Sequence, residues 1–265
     1  MKLIRLATVA ALTTTILAGG AASAFADEVR DVSSTGQIEF TPSDNEELEV
    51  LPPEEGPDVE IQPEVPGTTG PLSIVKVAHM DFGSQVISNQ DQTYNMVAEM
   101  QPLRETGELV PYVSFAQVQD VRGNNAGWNL QVSMSEFTSN TQNNTLTGAE
   151  IEFVDSRIQY EGINQDNAPG NHAAGLVLSP NNSAVSVMTA DSGKGAGASS
   201  VVWGDQADLN AQFADENVEV VENDMIRLSV PGSTAKDATT YTSILSWELT
   251  STPGSDVGPG PEPAM

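Results

Sequence analysis

Residues 225–254 read MIRLSVPGSTAKDATTYTSILSWELTSTPG. Ile226, Leu228 and Val230 alternate with Met225, Arg227 and Ser229, which is the period of a half-buried strand. Pro231-Gly232 breaks the ladder and reads as a turn. A second strand is expected over residues 241–250. It places Tyr241, Ser243, Leu245, Trp247 and Leu249 on one face and Thr242, Ile244, Ser246, Glu248 and Thr250 on the other. Thr252-Pro253-Gly254 closes the element.

Upstream, the runs at 72–78, 112–121, 128–137, 151–154, 175–178, 184–188, 201–203 and 218–221 are short and rich in Val, Ile, Phe and Thr. Clusters of Asn, Gly, Asp and Ser separate them. That pattern predicts an all-β sandwich or barrel-like domain over residues 71–254, long enough for one real core. Residues 96–103 and 205–213 are the places for a helical turn or two. Residues 140–144, 164–171 and 191–200 read as loops. The last of these, DSGKGAGASS, lacks the G-x-x-x-x-G-K-[ST] spacing of a phosphate loop and is expected to be mobile.

Trp247 and Leu249 sit two strand rises apart, about 6.6–6.8 Å, and form one apolar patch. The same W-x-L tripeptide occurs at Trp128-Asn129-Leu130, 119 residues earlier, with Val132 and Met134 on the same face. No repeat lies between them, so two distant strands are expected to meet, with Trp128 beside Trp247. The four residues read either as core, because aromatics on alternating strands pack inward, or as an exposed platform for a ligand. Trp203 has no such flank and reads as core.

These stretches resemble the WxL family of surface proteins from low-GC Gram-positive bacteria. Trp128-Asn129-Leu130 matches its first motif. Ser229-Val230-Pro231-Gly232, Tyr241-Thr242, Trp247-Glu248-Leu249 and Thr252-Pro253 match its closing motif. Asp81-Phe82-Gly83, Ser88 and Asp91-Gln92-Thr93-Tyr94 are similar to the start of the family's domain. The resemblance covers residues 71–254. It implies a secreted protein that attaches non-covalently to the cell wall, with peptidoglycan as ligand and Trp128, Leu130, Tyr241, Trp247 and Leu249 as motif residues. It also implies, as a second reading, a module that binds other WxL-type or membrane-anchored surface proteins.

The N-terminus agrees with export. Lys2 and Arg5 precede an apolar, small-residue stretch, and Ala24-Phe25-Ala26 fits a small-x-small cleavage site, so residues 1–26 are expected to be a signal peptide. Residues 27–70 hold thirteen acidic residues against Arg30 alone, with six prolines, and read as a disordered acidic linker. Residues 48–51 and 59–61 within it have the pattern to add an edge strand to a partner, against the plainer reading of a solvated tail. Residues 255–265 read as a flexible tail.

The formal net charge of −27, of which residues 71–265 carry −17, excludes nucleic acid as a direct ligand and adsorption to an anionic surface by simple attraction. No apolar stretch after residue 26 approaches a membrane span. The chain has no cysteine, and its only histidines are His79 and His172, outside any H-E-x-x-H pattern. No G-x-S-x-G elbow occurs. The expectation is a protein with no catalytic residues, no metal and no cofactor. Asp155, Asp166 and Asp191 lie in or beside polar loops with oxygen ligands for calcium, but without EF-hand spacing; solvated acidic loops are the simpler reading.

Overall fold

The computed structural model describes residues 32–41, 49–180 and 183–253; the expected signal peptide and tail lie outside the described residues. Residues 32–39 belong to a separate unit, exposed and without helix or strand. The β domain belongs to the unit that begins at Phe40.

In chain order the strands are β1 (Leu72–Lys76), β2 (Gln92–Val97), β3 (Glu99–Pro102), β4 (Leu109–Tyr112), β5 (Ser114–Asp120), β6 (Trp128–Met134) and β7 (Glu150–Phe153). There follow β8 (Arg157–Tyr160), β9 (Gly170–Asn171), β10 (Leu176–Leu178), β11 (Val185–Ala190), β12 (Gly197–Trp203), β13 (Glu222–Val230) and β14 (Leu245–Thr250). One α-helix among the described residues, α1 (Gln206–Ala214), sits between β12 and β13. The strands form three four-stranded sheets, ordered β1-β5-β12-β8, β10-β7-β13-β2 and β14-β6-β11-β9, plus the hairpin β3-β4. Every ladder is antiparallel. The fold is all-β, as expected.

The sheet β1-β5-β12-β8 is covered on both faces. Ile74, Ala116, Val118, Val201 and Trp203 face the main core, which the other two large sheets share. Val75, Val113, Phe115 and Val202 face a second core on the opposite side. Cover on both faces explains why β5 and β12 are buried at nearly every position, polar residues such as Gln117 and Ser200 included, while β13 alternates: Ile226, Leu228 and Val230 are buried between half-exposed neighbours.

The second core includes part of the expected linker. Val50, Val59 and Ile61, inside the expected linker, are buried in it beside Tyr112 and Leu209 of α1. Gln117 holds Leu51 by both backbone groups, at 3.0 and 2.8 Å. Val59 bridges to Leu103, and the Glu60 N–H donates to the Pro102 carbonyl at 2.9 Å. The Tyr112 phenol accepts from the Glu54 N–H at 3.0 Å, and burial pushes its pKa up to about 12. Glu54 also pairs with Arg157. An acidic stretch does precede the domain, but packing starts at residues 49–62 rather than at 71. Three apolar side chains are enough because they complete an existing apolar face and need no core of their own.

The same core contains a charge. The Lys76 ammonium is buried, 2.8 Å from Glu99 and 4.3 Å from the centre of the Phe115 ring. Pairing and a ring face are what make a buried ammonium tolerable.

Three smaller expectations need correction. Residues 96–103 hold the end of β2 and all of β3, not helix; the 205–213 helix does form, capped by Asp205, which accepts from the Ala207 N–H at 2.8 Å. Residues 218–221 form no strand: Val220 is exposed, and the chain there only approaches β13. Residues 197–200 are strand rather than loop, paired on both sides by β5 and β8.

Candidate functional site

The two W-x-L segments meet. β14 pairs with β6 so that Leu249 stands opposite Leu130 and Trp247 opposite Val132. Trp128 and Leu130 are fully buried, while Trp247 and Leu249 are half-buried on β14, the edge strand of its sheet. The alternation expected over residues 241–250 is kept as far as Leu249 and lost at Thr250, which is half-buried too; regular strand covers only Leu245–Thr250.

The register separates the two motif tryptophans. Trp128 lies four residues along β6 from the residue opposite Trp247, about 13 Å at a strand's rise. Trp247 packs instead on Trp203, with ring centroids 6.4 Å apart at 52°. Trp203 stacks on Phe153 at 4.7 Å and donates from its indole N–H to His172 Nε2 at 2.8 Å. His172 Nδ1 lies 2.7 Å from the Ala173 carbonyl oxygen. An indole only donates and a carbonyl only accepts, so this network assigns a neutral imidazole with its proton on Nδ1. Burial pushes the pKa of His172 down in the same sense, outweighing the Ala173 carbonyl and Asp155. The cluster of Phe153, His172, Trp203 and Trp247 was not legible in the sequence. Its only trace was a tryptophan ending a short apolar run.

Trp128 anchors a different feature. Its indole N–H donates to the Gly195 carbonyl at 3.0 Å. The Gly195 N–H reaches the Asn167 carbonyl at 2.8 Å, and the Gly193 N–H reaches that of Asn125 at 2.8 Å. The segment expected to be a mobile Gly/Ser loop is thus tied down at three points. At Gly195 (φ 71°) an added Cβ would stand 2.5 Å from the Ala190 Cβ and 2.7 Å from Trp128 Nε1. The glycine is the space the indole needs.

Tyr241 is half-buried and spends its hydroxyl inside the fold. It donates to the Asn143 carbonyl at 2.6 Å and accepts from the Asp237 N–H at 2.9 Å. The Asp237 carboxylate accepts from the Asn143 backbone and side chain at 2.9 and 2.8 Å, which holds its pKa down. Tyr241 lines a groove of about 690 Å³ that opens between two sheets, from β7 and β13 to β14. Ile151, Leu228 and Leu245 reach its interior, and the segments 79–87 and 236–243 form its rim.

Among the described residues no group of three or more His, Cys, Asp or Glu is placed to hold a metal ion. Asp155 instead accepts from the Ser156 N–H at 2.8 Å. No described helix is long and apolar enough to cross a membrane.

The family model of the WxL domain, described as surface cell wall-binding, matches residues 27–253. The chain belongs to the WxL family. Neither the curated proteins nor the solved structures compared with it give a match. On this WxL domain many of the residues that carry the resemblance gather in two places. The W-x-L tripeptides form the β6–β14 seam. Asp81, Phe82, Gly83, Tyr94, Val230, Tyr241 and Thr242 border the groove.

Proposed function

We propose that this WxL protein is exported with loss of residues 1–26 and binds peptidoglycan non-covalently through its β domain, without catalysing a reaction. The observation that carries the reading is the surface cell wall-binding family match, which spans the whole packed domain and starts at residue 27, the first residue after the expected cleavage. Recognition has to be local. Loss of Lys2 and Arg5 with residues 1–26 takes the net charge from −27 to −29, so approach to an anionic wall is repulsive and contact depends on shape, apolar area and hydrogen bonds. The W-x-L residues act in this reading by building the seam: Trp128 and Leu130 are buried and present no face to a ligand.

Purified wall sacculi test the proposal. The mature chain should pellet with them unaided, and should still do so at about 0.5 M salt, where screening weakens like-charge repulsion. A second reading, a module for other surface proteins, has one observation in its favour. β14 pairs only with β6 among the described strands, and Ile244 beside it is 72 % exposed. Under that reading the chain pellets only after a protein partner is added.

A further inference from the structure

The groove between the sheets holds an exposed aliphatic pair at its mouth. Asp81 and Phe82 fix one end of the rim segment: Phe82 is buried, and the Val97 N–H donates to the Asp81 carbonyl at 2.8 Å. Lys236 and Asp91 fix the other end, through Lys236 Nζ to the Ser88 carbonyl at 3.0 Å and the Gly232 N–H to Asp91 Oδ1 at 2.8 Å. Between these anchors Val86 is 89 % exposed and Ile87 55 % exposed, both lining the groove. Two aliphatic side chains held in water opposite an apolar floor are arranged to close on a ligand rather than on the fold.

The rim chemistry narrows the ligand. Asp81 and Asp237 line the groove with His79 and a single ammonium, Lys236. That ammonium donates to three carbonyl oxygens, those of Ser88, Pro231 and Thr234. The rim therefore favours an amine and disfavours a phosphate or carboxylate. Sugar rings are commonly held by stacking on an exposed aromatic face. Here Phe82 and Phe137 of the groove are buried, Tyr94 and Tyr241 are only half-exposed, and Phe40 and Phe213, the exposed large aromatics among the described residues, do not line it, so no aromatic ring lies fully open to a sugar.

We propose that this groove binds the peptide part of the wall and not its glycan, taking small aliphatic side chains between Val86, Ile87 and the floor and a free amine at Asp81. The assignment rests on the wall-binding reading above. Asp81 Oδ1 accepts from the Gly83 N–H at 2.9 Å, an acceptor that asparagine keeps, so Asp81→Asn removes the charge and leaves the turn.

The test is retention of the mature chain by intact sacculi and by glycan strands freed of peptide with an amidase, both immobilised on beads because glycan without its peptide cross-links dissolves. Intact sacculi should retain the protein, and stripped glycan should retain about tenfold less. The soluble peptide released by the amidase should compete, and the same peptide with its amines acetylated should compete less. Val86→Asp with Ile87→Asp should weaken retention about tenfold with an unchanged melting temperature, since both side chains are exposed. Asp81→Asn should weaken it severalfold at low salt, and Ile163→Asp, at an exposed position off the groove, should have no effect. Equal retention by stripped glycan, or full retention of the Val86/Ile87 double variant, overturns the assignment and leaves wall binding standing. Failure of the unaltered chain to pellet with intact sacculi removes the wall-binding reading itself.

Discussion

Trp203 and Trp247 face each other across two sheets, ring centroids 6.4 Å apart, although the second W-x-L partner of Trp247 in the sequence is Trp128. The ring contact joins edge strand β14 to β12 through a fully buried indole.

This contact makes a coupling prediction. Trp203→Ala should cost about 3–5 kcal/mol, because it empties a buried site beside Phe153 and orphans the acceptor on His172. Trp247→Ala should cost less, since the ring is half-buried. The double variant should be non-additive by roughly 0.5–3 kcal/mol, whereas Trp128→Ala with Trp247→Ala should add to within about 0.5 kcal/mol. Urea unfolding of the five variants measures both cycles, and strong coupling between Trp128 and Trp247 would contradict the register.

The N-terminal arm is expected to be part of the stable unit. Ile61→Ala should destabilise by about 2 kcal/mol or more. A chain starting at Thr68, which loses Val50, Val59 and Ile61 together, should melt at least about 4–8 °C lower, taking 2–4 °C per kcal/mol for a domain of this size. Calorimetry decides the point: an unchanged melting temperature would mean that the arm does not pack.

Glycines 193 and 195 provide a matched pair. Both have positive φ, 91° and 71°, but nothing lies within 4 Å of a Cβ at Gly193, while one at Gly195 meets Ala190 and the Trp128 indole below 3 Å. Gly193→Ala should cost about 1 kcal/mol of backbone strain, and Gly195→Ala clearly more, with a change in Trp128 emission. Similar values for the two would show that the indole is not held by this loop.

His172 should make the domain sensitive to mild acid. Its folded pKa lies below the ordinary value of about 6.5, so the unfolded chain takes up a proton there before the folded one does. Stability is therefore full above about pH 6.5 and falls as pH drops toward the folded pKa, by up to about 1.4 kcal/mol per pH unit for one site. Melting curves between pH 7.5 and 5 should show the decline in the natural protein and a flatter profile in His172→Gln, which is less stable at neutral pH. Parallel profiles would mean that other groups carry the acid response.

Strand pattern was legible from residues alone. The alternation of Ile226, Leu228 and Val230, and of Leu245, Trp247 and Leu249, appears in the structure as buried and half-buried positions on β13 and β14. Period-two burial is a local property, written in neighbouring residues. The meeting of the two W-x-L strands was also legible, as a shared motif at long separation. The acidic character was written in composition, and with it the expectation that nucleic acid is not a direct ligand.

Which ring touches which was not local. It depends on the register between β6 and β14, set by Leu249 opposite Leu130, and on how β12 crosses them, and neither leaves a mark within ten residues of Trp203. The arm shows the same limit from the other side. Composition weighs the charges and prolines of residues 27–70, but it could not register an apolar face left open on β5 and β12, which Val50, Val59 and Ile61 cover. The groove is likewise a tertiary product: segments 79–87 and 236–243, far apart in sequence, come together because antiparallel pairing of β2 with β13 brings the chain before one strand beside the chain after the other.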